Sequence, residues 1–126
     1  VALHDSIKSY AADAFLLRHP MKIVEMKGME ISPSSKAMVY WDSKNNLTFL
    51  EINNLPKPAE EMEYQLWAFV DGKPIDAGVF MPDELNHLHA MKNIGGNVSA
   101  FAVTLERKGG ASSPDMNAMY VMGKVV

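Results

Sequence analysis

The sequence predicts an all-β domain, an antiparallel β-sandwich of about seven strands, preceded by one amphipathic helix at its N-terminus. Three observations lead there. Beyond Pro20 the chain is written in short segments rich in β-branched and aromatic residues, separated by turn signals at the spacing of sandwiches and barrels. Between two such segments lies Asp71-Gly72, a pair that readily takes the two positive φ angles of a type I′ hairpin turn. Before Pro20 the period is different: Leu3, Ile7, Tyr10, Ala14 and Leu17 recur at steps of four and three, which is one stripe along a helix.

The helix is expected to cover residues 1–19 and to end at His19-Pro20, because the ring of Pro20 disfavours helical geometry at the residue before it. Asp5, Lys8, Asp13 and Arg18 fall off its apolar stripe. Such a stripe packs either on the domain's own core or as a stalk or dimer seam leading in from an earlier segment. Residues 20–126 form the β domain. Strands are predicted near Met21–Met26, Ala37–Asp42, Leu47–Ile52, Tyr64–Val70, Ile75–Phe80, Val98–Glu106 and Met119–Val126. The strands flanking Asp71-Gly72 should be antiparallel neighbours, with Pro74 at a strand start or on an edge because it has no N–H to donate.

Alternation selects the core. Tyr64, Leu66, Ala68 and Val70 share one face of the fourth strand, and Phe101, Val103 and Leu105 one face of the sixth. Their opposite faces carry Trp67, Phe69, Ala100 and Ala102, so both faces of these two strands are expected to be covered, with the N-terminal helix as the cover. Turns fall at Asn53-Asn54-Leu55-Pro56, Gly95-Gly96 and Gly109-Gly110.

Composition removes whole classes of function. The 126 residues carry 12 Lys+Arg against 15 Asp+Glu, a formal charge of −3, and no basic run, so nucleic acid is not an expected partner. With 48% hydrophobic residues the chain can build a core of its own. No apolar run approaches the roughly 20 residues that cross a bilayer. Zero cysteines exclude disulfides, thiol nucleophiles and thiolate metal sites. The first residue is Val and no leader-like pattern precedes it, so the chain reads as a mature form or a piece of something longer.

Candidate chemistry is thin, and no catalytic, cofactor-binding or metal-ligating residue is assigned. In an extended segment His87, His89 and Met91 would lie on one side, as a soft copper site requires, although an isolated His-x-His is weak and methionine fills cores without metal. Eight acids between Glu51 and Glu84 against Lys57 and Lys73 leave −6 there, without any pair at a spacing that makes a glycosidase. Glu106-Arg107-Lys108-Gly109-Gly110-Ala111-Ser112-Ser113-Pro114 lacks the Lys-Ser/Thr ending of a phosphate loop and fits a long hairpin loop better. Tyr40 and Trp41 could stack on a sugar, but a Trp buried in the core is the commoner use. The chain is therefore not expected to be an enzyme.

One stretch carries a family resemblance. Tyr64-Gln65-Leu66-Trp67-Ala68-Phe69-Val70-Asp71-Gly72-Lys73-Pro74-Ile75-Asp76-Ala77-Gly78-Val79-Phe80 resembles the signature of the C-terminal domain of RskA-type anti-sigma factors, the anti-sigma-K family. Ala37–Asp42, the Asn53-Asn54-Leu55-Pro56 turn, and Phe101–Glu106 followed by Gly109-Gly110 resemble further blocks of that family, in the same order. Arg107-Lys108 stands where the family often has Pro and a small residue, and 111–115 is one version of a variable loop. The resemblance implies a single-pass inner-membrane protein whose present domain is periplasmic. A segment preceding Val1 would bind an extracytoplasmic-function sigma factor, a transmembrane helix would follow it, and membrane proteases would release the sigma factor on a signal. A free periplasmic sandwich binding sugar through Trp41, or copper through His87, His89 and Met91, is the alternative.

Overall fold

The computed structural model describes residues 21–42, 44–82 and 87–125. The helix expected over residues 1–19 lies outside the described residues. Within them the chain is β throughout, apart from one 3-10 turn at Met116–Ala118. The strands are β1 (Lys22–Gly28), β2 (Lys36–Asp42), β3 (Leu47–Asn54), β4 (Met62–Val70), β5 (Lys73–Phe80), β6 (Leu88–Ala90), β7 (Val98–Arg107) and β8 (Met119–Lys124).

All pair antiparallel in a single sheet, in the order β5-β4-β7-β8-β1-β2-β3-β6. This corrects the expected sandwich: there are not two separate layers but one eight-stranded sheet, curled into a half-barrel. The seam that joins the halves is β1 with β8, where Lys27 faces Met122 and Gly28 faces Val121. Beyond it the Met29 N–H donates to the Tyr120 carbonyl at 2.8 Å. Gly123 permits this approach, since a Cβ there would strike the carbonyl of Glu25. The far rims also touch: the Lys92 N–H, just past β6, donates to the Ala77 carbonyl of β5 at 2.9 Å.

The inward residues follow the predicted alternation. Tyr64, Leu66 and Ala68 of β4 meet Phe101 and Val103 of β7, and Val24, Met26, Val39, Leu50 and Ile52 close over them from β1–β3. Across this core the rings of Trp41 and Phe101 meet edge to face at 6.0 Å, and those of Tyr64 and Tyr120 at 5.3 Å. The second face of β4 and β7 is buried too, with Trp67 and Ala102 both at 0% exposure.

The hairpin at Asp71-Gly72 is as predicted. Asp71 takes φ 52° and Gly72 φ 80°, β4 and β5 are neighbours, and Pro74 sits on β5, the edge strand. Two boundaries and one strand stand out as different. Asn53 and Asn54 belong to β3, so that turn starts at Leu55. The last strand stops at Lys124 rather than Val126, which lies outside the described residues. The strand without a sequence counterpart is β6, whose three residues are too few to show an alternation.

Candidate functional site

Polar residues set among apolar strand neighbours must find partners when buried, or each costs about 1–3 kcal/mol. In β4 and β7 these are Gln65, Thr104 and Glu106, all buried. The three fasten the β7–β8 connection to the outer face of the sheet. The Trp67 indole N–H donates to Thr104 Oγ1 at 2.8 Å, the Thr104 hydroxyl donates to Glu106 Oε2 at 2.6 Å, and the Asp115 N–H donates to that same oxygen at 2.9 Å. Beside this line Gln65 makes a two-way bond with the loop backbone: its Oε1 accepts from the Ala111 N–H at 2.8 Å and its Nε2 donates to the Ala111 carbonyl at 3.1 Å. Glu63 Oε2 accepts from the Gly109 N–H at 2.6 Å.

Gln65 Nε2 also donates to Asp76 Oδ1 at 2.9 Å, which accepts the Gly78 N–H as well. Asp76 Oδ2 pairs with Lys92 Nζ. One polar line therefore runs from the closing rim at Lys92, through β5 and β4, to the loop at Ala111. Burial works to raise the Asp76 pKa, but hydrogen bonds from Lys92, Gln65 and Gly78, with the Lys92 charge, hold the carboxyl below its ordinary value. On the inner side, burial and the neighbouring Tyr120 push the Tyr64 phenol well above its ordinary range. Its hydroxyl donates to the Pro56 carbonyl at 2.7 Å.

The outer face holds a second feature, an apolar groove of about 600 Å³ lined by Met29, Phe69, Ala100, Met116, Met119 and Met122, with Lys124 at its edge. A smaller depression of about 290 Å³, which adds Glu30, Ile31 and Asn117, shares Met29, Met116 and Met119 with it.

The residues singled out from sequence separate under this geometry. Trp41 is 3% exposed and donates its indole N–H to the Ile94 carbonyl at 3.1 Å, so it is a core residue and offers no face to a sugar. The Tyr40 hydroxyl donates to Glu51 Oε1 at 2.7 Å. His89 lies opposite Leu50, on the inward side, and Met91 packs against the core near Gly78. No group of three or more His, Asp or Glu able to hold a metal occurs among the described residues. The acids of 51–84 are dispersed: Glu51 binds Tyr40, Glu63 binds the loop, and Asp76 binds Lys92 and Gln65. The loop after Glu106 is a hairpin connection pinned by Gln65 and Glu63. Sequence reading missed the Gln65–Thr104–Glu106 set; its signal was Gln65 and Thr104, each one polar residue between two apolar ones on a buried strand, whereas Glu106, followed by Arg107, carried none.

In this curled β domain the buried polar side chains Gln65, Thr104 and Glu106 are engaged in holding the domain's own β7–β8 connection. The sequence matches the family described as anti-sigma-K factor RskA, C-terminal, over residues 8–119, and the chain belongs to that family. No curated protein and no solved structure matches it significantly. The matched span contains every residue of the tether. No helix among the described residues is long and apolar enough to cross a membrane.

Proposed function

We propose that this is the extracytoplasmic regulatory domain of a single-pass membrane anti-sigma factor, acting on an extracytoplasmic-function sigma factor through regulated proteolysis. Family membership over residues 8–119 carries the reading. It is consistent with the fate of the signature residues Gln65, Trp67 and Asp76, which, with Glu106 of a later block, are paired within the domain. The domain is non-enzymatic, the sigma factor is held by a segment before Val1, and the anchor is a membrane helix in that same region.

Its mechanism is steric. A protease needs extended backbone, and a juxtamembrane segment packed as a helix against a folded body does not offer it. Loss of that packing, or of the body's fold, exposes the segment and starts the cleavage that frees the sigma factor. The stripe Leu3, Ile7, Tyr10, Ala14 and Leu17 immediately before the β domain supports this. Limited proteolysis of wild type against Ile7→Asp is the test. Faster cleavage between residues 3 and 17 in the variant is expected, and equal rates remove the mechanism.

A further inference from the structure

We infer that the methionine-lined groove on the outer face of β4, β7 and β8 is the docking site of this chain's own residues 3–17, bound as an amphipathic helix. The inference deepens the shielding mechanism by naming the surface on which the segment rests. The groove is open and apolar: Met116 is 63% exposed, while Phe69, Met119 and Met122 form the floor and walls. Single apolar side chains on a surface need no partner; here four methionines and Phe69 line one concave groove together. Methionine side chains are flexible and polarisable, which suits a surface that receives a helix.

Four further observations select the occupant. First, the groove runs along β8 from Met119 to Lys124, and its Lys124 end is the end at which the chain enters the sheet. β1 runs antiparallel to β8, so its first residue, Lys22, is at the same end of the sheet as Lys124 on the groove's edge. Second, lengths agree: fifteen helical residues span about 22 Å at ~1.5 Å each, enough to cover the strand run from Ser99 to Thr104, which is under about 20 Å. Third, the pattern agrees: the segment carries a single apolar stripe, with Asp13 beside it as a counter-charge for Lys124. Fourth, the family match begins at residue 8 rather than at β1, so most of the stripe belongs to the recurring unit. A second copy of the chain or a foreign peptide would share the apolar requirement but not the covalent proximity.

The chain itself provides the probe, because it has no cysteine and ten methionines. A nitroxide on Ser9→Cys, off the stripe, is read through methyl resonances of isotope-labelled methionine in the full chain. The Met29, Met116, Met119 and Met122 methyls should lose most of their intensity, while Met38 and Met91 stay sharp, and adding Ile7→Asp should restore the four. Groove methyls that stay sharp overturn the inference. Broadening that appears only between a nitroxide-bearing chain and a separate isotope-labelled chain also overturns it, in favour of a second copy. Should the groove methyls broaden while Ile7→Asp leaves cleavage of the segment unchanged, docking stands and the shielding mechanism fails.

Discussion

At the scale of single residues, the three buried polar side chains of β4 and β7 are the informative ones. Thr104→Val keeps the shape of the side chain but leaves the Trp67 N–H without an acceptor and removes a donor from Glu106. The expected cost is about 2–3 kcal/mol, read as a shift of the urea midpoint with unchanged slope; a loss within the error of wild type would contradict the tether. Tyr64 and Asp76 set opposite pH limits. Tyr64 keeps its proton in the fold while the unfolded chain ionises near pH 10, so stability falls as pH rises past that value, and Tyr64→Phe should flatten the fall in alkaline denaturation curves. Asp76 is held below its ordinary value of 3.8. Its contribution is present above the unfolded pKa and is lost as pH falls through the lower folded one. With side chains 61% and 37% exposed, the Lys92–Asp76 pair is screened. Asp76→Asn should therefore cost under about 1 kcal/mol at pH 7, and the difference from wild type should vanish in strong acid.

At the scale of elements, the seam between β1 and β8 decides whether the molecule is one sheet or two. Gly123→Ala would drive a methyl into the Glu25 carbonyl, a backbone that cannot move aside without opening the seam. A loss of at least about 2 kcal/mol is expected, with hydrogen exchange at Met29 rising before that at Leu66. Retained protection at Met29 would mean the seam is not under strain from that methyl. This element level was largely legible in sequence. Period-2 alternation placed seven strands, and Asp71-Gly72 fixed the β4–β5 pairing, because both depend on neighbours within a few residues. The β1–β8 pairing was not legible: it joins residues nearly a hundred positions apart, and nothing local in Lys27, Gly28, Val121 or Met122 encodes it. β6 was missed because its existence depends on the edge of β3 that it completes.

At the scale of the whole molecule, the family was readable from several blocks in order, whereas the partners of the signature residues needed coordinates. Gln65 bonds the Ala111 backbone 46 residues later and Trp67 bonds Thr104 37 residues later, relations that sequence spacing conceals. Under the proposed shielding mechanism, weakening the tether should lower the fold's stability and raise cleavage of the segment before Met21 together. The most direct measurement is transcription from a sigma-dependent promoter in cells carrying the full reading frame, with wild-type or Thr104→Val sequence in this domain and equal amounts of protein made. The account predicts higher transcription with Thr104→Val, accompanied by cleavage before residue 21. Transcription unchanged by a substitution shown to destabilise the domain would contradict it.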